Sequence, residues 1–170
     1  APGSAGCTPH QATVTDLLPT IQGSAPYTGA GTIYFQTGTY GGAETSVELD
    51  GASYSNLTDL ALVGGWDLNT NTVVTNTTTD FSVPIRITNW NGSVSVVNIN
   101  IAADDPLAAL YVTNNAGINL TNVDAGGNAS GTGAYLDNCS ASGCTGSVTV
   151  ENGAFDDNLH SGLVIDAGGD

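Results

Sequence analysis

The sequence predicts an all-β fold of the parallel β-helix (solenoid) type, on three observations. Two short strand motifs of alternating apolar residues recur in one fixed order, at a spacing of 24–25 residues over the best copies. Asn closes almost every copy of both motifs. Short β runs are punctuated by Gly, Asn and Asp, and no helical periodicity is evident beyond residue 25.

Taken in chain order, residues 1–30 read as an N-terminal cap segment and residues 31–170 as the β-helix, one domain overall. In the cap, Val14, Leu17, Leu18 and Ile21 suit a short helix or an irregular covering segment. Gly31-Thr32-Ile33-Tyr34-Phe35 reads as the first strand, stopped by Gly38, Gly41 and Gly42. Val47-Glu48-Leu49-Asp50 is a second alternating strand, and Leu60-Ala61-Leu62-Val63 a third.

The repeat then becomes explicit. Ile85-Arg86-Ile87-Thr88-Asn89, Leu110-Tyr111-Val112-Thr113-Asn114 and Ala134-Tyr135-Leu136-Asp137-Asn138 are copies of one motif, with Leu163-Val164-Ile165-Asp166 a weaker fourth. Val94-Ser95-Val96-Val97-Asn98, Ile118-Asn119-Leu120-Thr121-Asn122 and Val148-Thr149-Val150-Glu151-Asn152 are copies of the other. Because alternate strand residues face opposite ways, each motif supplies an inward apolar column, and stacked repeats bury what one repeat cannot. Two Asn ladders are expected at the strand ends, Asn89/Asn114/Asn138 and Asn98/Asn122/Asn152, each amide bonding its equivalents in adjacent repeats. Gly92, Gly117 and Gly146 precede the second motif, where a tight turn calls for positive φ.

Composition bounds the partners. Sixteen acidic residues face a single cation, Arg86, for a net charge of −15, while charged residues are only 10% of the chain. Phosphate recognition needs Lys and Arg, so nucleic acid is not an expected partner. No apolar run approaches the ~20 residues of a membrane helix, so membrane insertion is not expected. Cys139 and Cys144 bracket a segment about six residues longer than its counterparts and are expected to close it as a disulfide, which implies an oxidising, extracellular compartment. Ala1-Pro2-Gly3-Ser4 reads as a mature start after signal cleavage. Cys7 is left over as a candidate intersubunit thiol. Six N-x-S/T sequons occur, at Asn56, Asn76, Asn91, Asn119, Asn128 and Asn138.

Gly31-Thr32-Ile33-Tyr34-Phe35-Gln36-Thr37-Gly38-Thr39-Tyr40 resembles the opening strand of right-handed parallel β-helix repeat proteins of the pectate-lyase-like superfamily. Leu60-Ala61-Leu62-Val63-Gly64-Gly65-Trp66-Asp67 is similar to a segment of surface-exposed bacterial members. The resemblance implies a right-handed coil and a cap over the first repeat. It carries little on function, since that fold hosts lyases, hydrolases and adhesins alike. Lyases of this kind need a cluster of basic residues, and Arg86 has none beside it in the sequence pattern. Hydrolases need clustered carboxylates. Asp137 and Asp166 are the best candidates, because Asp104-Asp105 and Asp156-Asp157 fall in turns. His10 and His160 have no partners in any catalytic motif.

The expected function is therefore an extracellular, cell-surface structural or adhesive module and not an enzyme, with a carbohydrate-binding or carbohydrate-active β-helix protein as the alternative. Arg86, Tyr111 and Tyr135 form a candidate contact strip for glycans or other protein surfaces. Acidic pairs offer oxygen donors for Ca²⁺, but no cofactor is predicted. Residues 162–170 begin another repeat, so an open C-terminal end is expected, joined to a longer chain or to another copy by end-to-end stacking into a filament or sheath.

Overall fold

The structure is a computed structural model that describes residues 13–21, 28–42, 44–54, 56–139 and 146–168. In chain order it contains helix α1 (Val14–Ile21) and strands β1 (Gly29–Gln36), β2 (Thr39–Tyr40), β3 (Val47–Asp50) and β4 (Leu57–Asp67). There follow β5 (Thr72–Val73), β6 (Thr79–Phe81), β7 (Ile85–Trp90), β8 (Val94–Ile101) and β9 (Ala108–Asn114). The last are β10 (Ile118–Asp124), β11 (Thr132–Asp137), β12 (Val148–Glu151) and β13 (Leu163–Asp166). Among the described residues strand accounts for 53% and helix for 6%, which places them in the all-β class.

Two parallel sheets carry the architecture. The first runs β1-β4-β8-β10-β12 and the second β3-β7-β9-β11-β13, so from β7 onward the chain visits the sheets alternately. In the second sheet Ile85 pairs with Leu110, Leu110 with Ala134 and Ala134 with Leu163. In the first, Leu60 pairs with Val94, Val94 with Ile118 and Ile118 with Val148. The apolar residues of these columns meet between the sheets. Ile85, Ile87, Val94, Val96, Leu110, Val112, Ile118, Leu120, Ala134 and Leu136 are all 0% exposed. Burying each of the Val, Ile and Leu side chains among them contributes about 1.5–3 kcal/mol. In β12 and β13 the burial fades: Val148, Val150 and Leu163 are half-buried and Ile165 is 46% exposed.

At the other end, α1 lies on the core. Its start is fixed by Thr13, whose hydroxyl accepts the Asp16 N–H (3.1 Å) and donates to the Asp16 carboxylate (2.7 Å). This turns Val14, 3% exposed, onto the core, with Leu17, Leu18 and Ile21 packing beside it. Phe35, Tyr40 and Phe81 fill the space below, Phe35 edge-on to Phe81 at 5.0 Å and Tyr40 stacked on Phe81 at 5.3 Å.

Two features depart from the sequence reading. First, Val47 and Ile85 pair although they are 38 residues apart, against 25 for the next interval. The excess is a hairpin arm. β8 pairs with β4 as far as Val63–Val97 and resumes with β6 at Thr79–Ile99, so only Asn98 spans the gap that the arm fills. The arm turns back through the antiparallel pairing of Trp66 with Val73 and seats Trp66, 5% exposed, against Tyr34 at 4.5 Å. Second, Gly92, Gly117 and Gly146 do not have positive φ; the left-handed residues at the corners are Asn89, Asn98, Asn122 and Asn152, with φ of 54–56°. Asn tolerates this region better than other residues with a Cβ. At Gly92 and Gly146 the requirement is steric: a Cβ would overlap the backbone of Thr58 and of Ala116 respectively.

Candidate functional site

The outward column of the second sheet runs Glu48, Arg86, Tyr111, Tyr135, Val164. Tyr111 and Tyr135 are stacked face to face, 5.1 Å apart and 10° from parallel. Their facing π surfaces are therefore engaged with each other. The Tyr135 phenol is held above its ordinary pKa, chiefly by withdrawal from water and then by electrostatic interaction with Asp137, Tyr111 and Asp166. Beside it Asp50 pairs with Thr88, and the buried Thr113 with Asp137, which in turn pairs with Asp166.

Arg86, expected as a contact residue, is committed within the fold. Its guanidinium bonds the Asp105 carboxylate and lies 3.6 Å from Glu48 Oε1. The Asp105 side chain is 8% exposed, and its other oxygen accepts the Leu107 and Ala108 N–H groups at 2.8 and 3.2 Å. The only cation of the sequence thus braces a corner loop. Arg86→Met is expected to lower stability by about 2 kcal/mol, because it leaves a desolvated carboxylate without its partner. Urea denaturation of this variant, of Asp105→Asn and of the double variant measures the coupling; the double variant should recover part of the loss.

Each corner is held by side-chain amides. Asn122 Nδ2 donates to Asn98 Oδ1 at 2.9 Å across adjacent strands. In the other motif Asn114 and Asn138 are fully buried, but their amides brace turns and do not bond one another. Asn114 Nδ2 donates to the carbonyls of Gly92 and Gly117, both at 3.0 Å, and Asn138 Nδ2 to that of Gly146 at 2.7 Å. Asn89 stands outside this column. A register shift between Ile87 and Trp90 sets Trp90 opposite Asn114, and the exposed Asn89 donates to Asp50 Oδ1 at 3.0 Å.

A third column, Asp105/Asn128/Asn158, escaped the sequence reading. Asn128, 0% exposed, donates to the carbonyls of Asp105 and Thr132 at 2.9 and 2.8 Å. Its Oδ1 accepts N–H groups from Asp105 (3.1 Å), Ser130 (3.0 Å) and Gly131 (3.0 Å). Asn158 repeats the arrangement one strand on, accepting the Asn128 N–H at 2.9 Å. The recurrence of Asn at 128 and 158, each in a turn between strands, was the available signal.

The carboxylates are largely engaged in turns. Asp104 Oδ1 accepts the Ala129 N–H at 2.7 Å, and Asp137 Oδ1 that of Cys139 at 2.7 Å. Asp157 holds a left-handed corner with φ 56°. Asp59 accepts both the hydroxyl (2.6 Å) and the N–H (2.9 Å) of Ser93, which, with the Thr58 hydroxyl, hold its carboxyl below the usual range. Asp137 and Asp166 are register partners on the outward face. Among the described residues no group of three or more His, Cys, Asp or Glu is arranged to hold a metal ion. His160 is exposed. A cavity of about 370 Å³ lies beside α1, lined in part by Thr13, Gln36, Thr39, Tyr40 and Glu44. Tyr40 Oη accepts the Gln36 N–H there at 3.2 Å, and burial lifts its phenol pKa. Cys7, Cys144 and His10 lie outside the described residues, and with them the Cys139–Cys144 bridge and the intersubunit thiol.

No family model, curated protein or solved structure matches the chain.

Proposed function

We propose that the chain is a right-handed parallel β-helix module with a structural or adhesive role outside the cell, the fold to which its sequence motifs are similar. The alternation of the chain between two parallel sheets supports the coil, as does the pairing of Asn98 with Asn122 on adjacent strands. The single observation that carries the role is how the polar groups are used. The lone cation and the Asp104, Asp105 and Asp137 carboxylates brace corners, which leaves two broad sheet faces as what the molecule presents.

Lateral use of those faces fits better than end-to-end stacking. α1 packs against β3, the first strand of the second sheet, and stacking through that end would require the helix to leave. The alternative, a carbohydrate-active module, rests on Asp137 and Asp166 standing side by side on an open face. Beads coated with the chain, mixed with uncoated dextran and cellulose particles and with one another, test both readings. Adhesion without release of reducing ends is expected. Release of reducing ends that Asp137→Asn or Asp166→Asn abolishes would overturn the structural reading.

A further inference from the structure

The six sequons divide sharply by environment. Asn56, Asn76, Asn91 and Asn119 are exposed, whereas Asn128 and Asn138 are 0% exposed. Attachment of a sugar to an asparagine replaces one amide hydrogen and needs free space around Nδ2. Asn128 uses its Nδ2 for two carbonyls, and Asn138 donates to the Gly146 carbonyl while its Oδ1 accepts the Gly168 N–H at 3.1 Å. Neither can carry a glycan in the folded state. At Asn119 the side chain stands on the outward face of β10, opposite Ser95. Asn56 and Asn91 occupy the corners that lead into β4 and β8, and Asn76 lies in the arm between β5 and β6.

Asn76 and Asn119 therefore lie on the first sheet's side, and Asn56 and Asn91 at corners between the two sheets, Asn91 directly after Trp90 of β7. The outward residues of the second sheet, from Glu48 to Val164 and from Asp50 to Asp166, include none. We propose that the chain is N-glycosylated at Asn56, Asn76, Asn91 and Asn119, so that sugar covers the first sheet's side and these corners while the outer face of the second, with its Tyr111–Tyr135 stack, stays bare as the contact face. This rests on the extracellular reading above. The co-reactant is a polyprenyl-diphosphate-linked oligosaccharide. The bond from its anomeric carbon to the diphosphate oxygen breaks, a bond from that carbon to Nδ2 forms, and the amide loses one proton as the diphosphate leaves.

The test is secretion of the chain from a eukaryotic host, followed by enzymatic deglycosylation in H₂¹⁸O and peptide mass spectrometry. Isotope-labelled Asp is expected at 56, 76, 91 and 119 and at neither 128 nor 138. Asn→Gln at 56, 91 and 119, and Thr78→Ala for the sequon of Asn76, whose φ of 58° favours asparagine, should each remove one glycan without shifting the melting temperature. A second arm treats folded, cytoplasmically produced chain with a soluble asparagine glucosyltransferase and UDP-glucose, and the same four sites should gain glucose. Label or glucose at Asn128 or Asn138 in folded protein, or at none of the four, overturns the proposal. Bead adhesion is read separately. Adhesion without glycans sinks this inference alone, and glycans without adhesion sink the functional reading alone.

Discussion

Asn128→Ala is expected to lower stability by about 4 kcal/mol, read as a shift of the urea midpoint at unchanged slope. Its carboxamide satisfies five backbone groups: the carbonyls of Asp105 and Thr132 and the N–H groups of Asp105, Ser130 and Gly131. Asn128 has no exposed surface and Asp105 and Gly131 are buried with it, so water reaches their groups only if the corner opens. Each buried group left unmade costs roughly 1–3 kcal/mol, and partial relaxation keeps the total below the sum. The loss should extend beyond the site, because Asp105 also anchors Arg86 and the Asn128 N–H is bonded by Asn158. Asn128→Asp keeps the acceptor but sets a carboxylate oxygen against the two carbonyls, so it should cost at least as much as alanine. A change within about 0.5 kcal/mol for Asn128→Ala would show that this column is incidental.

Gly92→Ala is expected to cost about 3 kcal/mol, and Gly117→Ala, at the equivalent corner one repeat later, less than about 1 kcal/mol. At Gly92 a Cβ would overlap the Thr58 carbonyl, which also accepts the Trp90 indole N–H at 3.0 Å. The nearest atom to a Cβ on Gly117 is the Ser147 carbonyl oxygen at 3.5 Å, an ordinary contact. Both positions lie outside the positive-φ region, so backbone preference does not separate them. The difference in midpoint between the two variants reads close approach alone. Equal losses would mean that the corner tolerates crowding by sliding.

What was legible in the sequence is what repeats at a strict period. The columns through Ile85, Leu110 and Ala134 and through Val94 and Ile118 could be read because alternation and the interval agree. The adjacency of Asn98 and Asn122 followed for the same reason. Asn89 was misplaced because the strand slips one residue after Ile87, an irregularity that no side chain announces. The arm was missed because residues 68–79 are rich in Thr and Asn and carry no apolar alternation. Asp105, Asn128 and Asn158 were missed because the column mixes Asp with Asn and its intervals differ. The Arg86–Asp105 pair joins β7 to the loop before β9 and has no counterpart in any repeat, so periodicity could not reveal it.

The arm marks a place where chain length is free. It departs at Gly64–Gly65 and rejoins at Thr79, whose buried hydroxyl ties the junction by donating toward the Phe35 and Gln36 carbonyls (3.1 and 3.0 Å) and accepting the Gly65 N–H at 2.9 Å. Beyond Trp66, which packs on Tyr34, residues 68–76 of the arm are exposed. The loop between Leu68 and Asn71 is therefore a natural port for displaying a foreign epitope or a label, provided that Thr79 is left alone.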